Sequence, residues 1–225
     1  MRIPCTICGS LILPTTVEFN AGLCGQCARE PERARALQTR KRKIAALGAP
    51  SVETVKSHLI RLTERAAKKA WTQFGSEQVY AFLLFSDPHF ESAVPVVMTE
   101  KWLSRMPPGS RWGGSGWYDD DYTISEDDFC LASEWARGLG DPREGGRGDL
   151  LMPCYLESLQ EVGKKKIFPE STCVLLVSSG MSNEEIYAIA EILNGKVALE
   201  RLGKDLRLEA VALAAMRKNY ATHMK

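Results

Sequence analysis

Four of the seven cysteines in the sequence stand in two pairs near its start: Cys5 with Cys8 in "PCTIC", and Cys24 with Cys27 in "LCGQC". Fifteen residues separate the pairs. C-x2-C repeated at that distance is the spacing of a four-thiolate zinc site. Tetrahedral Zn2+ takes four soft ligands with sulfur at about 2.3 Å. Two residues between thiolates let one tight turn offer both to the same ion. Gly9 and Gly25 are expected to supply positive φ, so that the turning backbone aims N–H groups at the sulfurs. Leu11, Ile12, Leu13, Val17 and Phe19 supply enough apolar residues for a short hairpin between the pairs. An iron–sulfur or redox site is the rival reading. No thioredoxin-like strand–helix–strand pattern accompanies the pairs, which argues against redox. A closed four-sulfur shell has no open position, so its expected role is to fold a short segment rather than to catalyse. Cys130, Cys154 and Cys173 lie singly in apolar surroundings and read as core residues.

Other chemistry-bearing residues make weaker patterns. His89 lies two residues from Asp87 in "SDPHF", where a His–Asp pair is either a general base or a hydrated turn, and the turn is the expected reading. His58 falls on a helix and His223 close to the end of the sequence. "SSGMS", residues 178–182, lacks the nucleophile-elbow pattern, and its serines suit a turn and a helix cap. Six acids crowd between 119 and 128: Asp119, Asp120, Asp121, Glu126, Asp127 and Asp128. Their contiguity does not match a calcium loop, which alternates its ligands around a glycine. Trp112, Trp117 and Tyr118 precede the acids. Aromatic anchors ringed by charge resemble a binding hot spot, so Trp112, Trp117, Tyr118, Asp119, Asp120 and Asp121 are candidate contacts for a protein partner. Such an acidic face would attract a basic one, for example a nuclease toxin.

Charge is unevenly placed. Residues 1–69 hold 13 Lys/Arg and 5 Asp/Glu, whereas residues 70–225 hold 16 and 23. The basic excess concentrates in "REPERARALQTRKRK", 29–43, a predicted helix opened by Pro31. Its last basic run, Arg40, Lys41, Arg42 and Lys43, is the candidate nucleic-acid contact. No aromatic residue interleaves there to stack on bases, so only weak, non-specific affinity is expected. Composition, 44% hydrophobic and 25% charged, is that of a globular chain. No apolar run approaches the ~18 residues of a membrane span, and the start of the sequence has no secretory pattern, so the cytoplasm is the expected location.

The elements that must position these residues follow from periodicity and punctuation. Residues 1–30 form the zinc-ribbon-like knuckle, 31–50 a basic linker helix, and 51–225 the main domain, with "GAPS" at the boundary. Val55, Leu59, Leu62, Ala66, Ala70 and Phe74 recur at helical steps after Ser51, and Gly75 is expected to stop that helix. "QVYAFLLF", 78–85, is a predicted central strand. "SAVPVVMT", 92–99, is its expected hairpin partner, with Pro95 marking an edge or a bulge. A short helix capped by Thr99 follows, then a loop or distorted strand over 107–128, and a helix in "DDFCLASEWARGLG". A helix at 149–166, a buried strand at 172–179 and a helix opened by the Ser182–Glu185 capping box and ended by Gly195 come next. A last helix is predicted at 204–220. No strand–helix–strand repeat is evident, so the expected fold is α+β, a small and mainly antiparallel sheet packed with several helices.

Three stretches, "EQVYAFLLFSD" after a long helix, "ASEWA", and "LLVSSGMSNEEIYAIAEILNG", together resemble the bacterial family called domain of unknown function 4303. The resemblance covers about residues 52–210 and leaves out the cysteine segment. It implies an accessory or immunity component of a toxin neighbourhood, with no catalytic activity and no functional residue carried over. The sequence therefore points to a non-enzymatic, zinc-containing protein-binding module. The alternative is a zinc-ribbon accessory protein that binds nucleic acid through 29–43.

Overall fold

The computed structural model describes residues 2–105, 126–139 and 147–207. The chain divides into two compact units, Met1–Ala49 and Pro50–Lys225.

In the first unit, β1 (Ile3–Pro4) pairs antiparallel with β2 (Leu11–Ile12), Ile3 opposite Ile12. The hairpin thus encloses the first cysteine pair, whereas the sequence suggested one between the pairs. Pro14 explains the difference: its fixed φ opens helix α1 (Pro14–Phe19), which takes Val17 and Phe19 out of any strand. Helices α2 (Gly25–Arg29) and α3 (Pro31–Ala46) follow. Only Cys5, Ile12 and Cys27 form the buried cluster, with Ile7, Val17, Leu23 and Ala34 packed against it. α3 starts on Pro31 as expected and buries none of its residues.

The second unit opens with α4 (Val52–Phe74), capped by Ser51. Thr54 completes the capping box: its N–H donates to Ser51 Oγ at 3.2 Å and its Oγ1 accepts from Ser51 N–H at 2.8 Å. The predicted apolar stripe is the buried face, with Val55, Leu59, Leu62, Ala66, Ala70 and Phe74 all inside. The left-handed residue after the helix is Gln78 rather than Gly75, which keeps a right-handed backbone.

Strand β3 (Val79–Ser86) is the centre of a three-stranded sheet in the order β4–β3–β5. β4 (Ala93–Thr99) pairs with it antiparallel, Leu84 opposite Pro95, and lies at the edge, where a proline is tolerated. β5 (Cys173–Ser178) pairs with β3 in parallel, from Ala81–Cys173 to Ser86–Ser178. Of the three pairings among the described residues, two are antiparallel and one is parallel. The fold is α+β.

The helices pack around this sheet. α5 (Glu100–Leu103) is capped by Thr99, whose Oγ1 accepts from Trp102 N–H at 3.1 Å. α6 (Glu126–Ala136) packs on β4, α7 (Arg147–Lys164) on α4 and β5, and α8 (Asn183–Leu193) on β5. The last described helix, α9, spans 196–207 and so begins eight residues before the predicted start. Thr63 donates to Ser158 at 3.1 Å across the buried α4–α7 contact, flanked by the Lys56–Glu157 and Lys165–Glu64 ion pairs. Phe82, Leu83, Leu84, Phe129, Tyr155, Leu159, Leu175 and Leu176 fill the centre. Cys154 and Cys173 are core residues as expected; Cys130 is half-buried.

Candidate metal centre

The four paired cysteines converge. The Sγ atoms of Cys5, Cys8, Cys24 and Cys27 all lie within 4.8 Å of one another. Hairpin β1–β2 carries the first two. Cys5 N–H donates to Ser10 O and Gly9 N–H to Cys5 O, both at 2.9 Å, with Gly9 at φ 73° making the turn. Thr6 N–H donates to Gly22 O at 3.0 Å, which ties the first knuckle to the second. That approach requires a glycine: Gly22 has φ 83°, and a Cβ there would lie 3.2 Å from Thr6 Cγ2. Gly25 does not take the role expected of it. It begins α2, and the N–H groups of the second pair are aimed by the helix start instead. Cys24 caps α2 and accepts from Cys27 N–H at 3.5 Å.

The geometry fits a tetrahedral ion. Sulfurs 2.3 Å from a zinc at tetrahedral angles lie about 3.8 Å from one another. Cys8 Sγ and Cys24 Sγ are 3.7 Å apart, far beyond the ~2.05 Å of a disulfide. Cys24 N–H donates to Cys5 Sγ at 3.3 Å, and the Ser10 hydroxyl lies 3.2 Å from Cys8 Sγ, so partners outside the four sulfurs orient the ligands. Cys5 and Cys27 are buried and the other two half-buried.

The electrostatics of the thiols agree with this fit. The backbone N–H of Cys8 leads the interactions that hold the Cys5 thiol down at about 6, against the opposing effect of its burial. The Ser10 hydroxyl and backbone N–H lower Cys8. Burial, reinforced by the neighbouring sulfurs, pushes Cys27 up to about 12. Two thiols are thus lowered, and one is held protonated chiefly by its burial. A divalent cation bound by the four sulfurs would favour their thiolate forms. These residues can hold a metal ion, and a shell of four sulfurs leaves no position for substrate.

The other sequence candidates separate. Lys41, Arg42 and Lys43 are exposed on α3 and Arg40 is half-buried. At ~100° per residue they spread around the helix rather than lining one face. Trp112, Trp117, Tyr118, Asp119, Asp120 and Asp121 lie outside the described residues, as does His223. Asp128, on α6, forms an ion pair with Arg65 of α4. The Asp87–His89 pair is a turn. Asp87 Oδ1 accepts from the backbone N–H of His89 at 2.9 Å and of Glu91 at 3.2 Å, and Oδ2 from the N–H and hydroxyl of Ser92 at 2.7 and 2.6 Å. His58 packs edge-on to Trp135, with centroids 5.6 Å apart. Ser182 caps α8: its Oγ accepts from Glu185 N–H at 3.2 Å, and its N–H donates to Glu185 Oε2 at 2.8 Å.

Sequence reasoning missed two fastenings of the last elements. Asn194 bonds the backbone of β5, and Arg201 stacks over the Tyr80 ring, 4.4 Å from its centroid, while pairing with Glu100. Neither has a local pattern, because the partners lie far away in sequence. No helix among the described residues is long and apolar enough to cross a membrane. Comparison of the chain with protein-family models, with curated proteins and with solved structures finds no match.

Proposed function

We propose that this chain is a non-enzymatic, cytoplasmic protein-binding module whose N-terminal unit is folded around one structural zinc ion, and that it serves as an immunity or accessory protein of a bacterial toxin system. One observation carries the binding role. The first unit leaves four large apolar side chains outside: Leu11 is 63% exposed, Leu13 56%, Phe19 90% and Leu37 48%. Its core holds three buried residues, so metal binding rather than hydrophobic burial supplies its folding energy. The apolar residues are thereby released to the surface, where such patches mark contact with other proteins. Leu11 of β2 and Leu13, which precedes α1, flank the buried Ile12 and are both exposed. The resemblance to domain of unknown function 4303 supports the toxin-system context. The stretch from Trp112 to Asp121 supplies the composition of a second contact, toward a basic partner.

The experiment is site-specific photo-crosslinking in the native host. A crosslinking amino acid at Phe19 should give a discrete protein adduct that disappears when Cys24 is replaced by serine. The same amino acid at Arg207, an exposed position on the second unit, should not give it. Identical patterns at both positions would contradict the reading.

A second reading keeps one specific observation in its favour: α3 carries Lys41, Arg42 and Lys43 fully outward and buries nothing. With about four of its cations on phosphates, log Kd would rise with log salt at a slope of roughly 4. Fluorescence anisotropy with a duplex oligonucleotide over a salt series measures this. Weak binding lost by physiological salt accords with the first reading; tight binding that persists in high salt makes nucleic acid the partner.

A further inference from the structure

We propose that a cavity beyond the carboxyl ends of β3 and β5 is a binding site for a small organic amine with an apolar body. The two strands run parallel and end side by side at Ser86 and Ser178. Crevices beyond the carboxyl ends of parallel strands are where sheet proteins commonly place ligands. Here the crevice has a volume of about 520 Å³, within the range of small-molecule sites. Phe90 of the β3–β4 turn, Met152 of α7, Met181 of the turn before α8 and Ile189 of α8 form apolar walls.

Besides the exposed Ser179, two polar groups break the apolar lining. Ser178 is only 6% exposed. Its N–H donates to Met181 Sδ at 3.1 Å, but its hydroxyl has no hydrogen-bond partner among the described residues. The comparable hydroxyls nearby are satisfied: Ser86 donates to Ser92 O at 2.6 Å, and Ser182 accepts from Glu185 N–H. A hydroxyl on a cavity wall with no protein partner is free to bond a ligand or a water. Glu185 is the second group. The Ser182 N–H binds its Oε2 and holds the carboxyl below its ordinary range, so it is ionised near neutral pH. A carboxylate on the rim repels anions and attracts an ammonium. Access is open at Gly180, where an added Cβ would meet nothing within 4 Å. In the 360 Å³ cavity lined by Val162, Thr172 and Asn194, by contrast, Thr172 donates to Val79 O and the Asn194 amide is fully engaged.

The test uses intact protein, with phenethylamine as probe and phenethyl alcohol and hydrocinnamate as neutral and anionic counterparts, followed by titration calorimetry and ligand-observed NMR. The amine should bind about tenfold more tightly than the alcohol, the scale of one charge-assisted hydrogen bond, and the carboxylate should not bind. Glu185→Gln keeps the capping box and should remove the advantage of the amine. Ser178→Ala should weaken amine and alcohol alike. Ala188→Trp, at an exposed position on the cavity wall, should abolish binding while circular dichroism shows an unchanged fold. Failure of the amine to bind, unchanged amine affinity in Glu185→Gln, or undiminished binding in Ala188→Trp would each overturn the proposal.

Discussion

Asn194 acts on Val174 as a neighbouring strand would: its Oδ1 accepts from the Val174 N–H at 2.6 Å and its Nδ2 donates to the Val174 carbonyl at 2.7 Å. The same amide also donates to Ala190 O at 3.0 Å, which binds the end of α8 to the edge of β5. Asn194→Ala would leave two backbone groups of a buried residue unpaired. Each such loss costs about 1–3 kcal/mol. The expected result is a destabilisation of at least ~2 kcal/mol, read as a lower urea midpoint at constant m. A change under about 0.5 kcal/mol would show that water replaces the amide.

Two glycines of α7 should respond in opposite directions. Gly148 lies against the His89 carbonyl, and an added Cβ would overlap that oxygen. Gly163 in the same helix would place a Cβ 3.8 Å from Leu193 O, an ordinary contact. Helix propensity alone favours alanine at either position by up to ~1 kcal/mol. Gly163→Ala should therefore raise the thermal midpoint slightly. Gly148→Ala should lower stability by about 1–3 kcal/mol, because α7 must back away from the turn. Equal responses would mean that the helix start does not touch the hairpin.

Asp87 gives the second unit part of its pH dependence. Burial alone would raise its carboxyl, but the Ser92 hydroxyl and the N–H groups of His89, Glu91 and Ser92 outweigh burial and bring it below the ordinary aspartate value. A carboxyl depressed on folding contributes stability that is complete above its unfolded value and disappears as pH falls through the folded one. The window therefore lies below about pH 4. Urea denaturation from pH 6 downward should show a shallower acid loss for Asp87→Asn than for the parent chain. Superimposable curves would assign the acid response elsewhere, with Glu64 the next candidate, since Lys165 and Lys68 hold its carboxyl at about 2.

Local signals and distant ones differ in how far the sequence reveals them. The stripe from Val55 to Phe74 and the Ser51 and Ser182 caps act within one or two turns, so spacing alone shows them. The cysteine pairs are equally legible, because each C-x2-C spacing acts within one tight turn. The parallel register of β5 on β3 is different. It joins residues such as Ala81 and Cys173 across intervening helices, so no local window shows which way β5 runs. Spacing within the cysteine pairs points to Gly25 and not to Gly22, since only the approach of Thr6 reveals which glycine must lack a side chain. Asn194 and Arg201 are polar residues with remote partners, and no window around either one encodes the bond it makes.

The central claim is that Cys5, Cys8, Cys24 and Cys27 hold one zinc ion as the structural core of the first unit. Native mass spectrometry of the intact chain, produced with zinc in the medium and purified without chelator, tests it directly. The account predicts one zinc per chain, lost in Cys24→Ser and retained in Cys130→Ser. Loss of the ion should make residues 1–49 sensitive to protease while the second unit stays folded. A chain that carries no metal and still resists proteolysis through residues 1–49 would contradict the account.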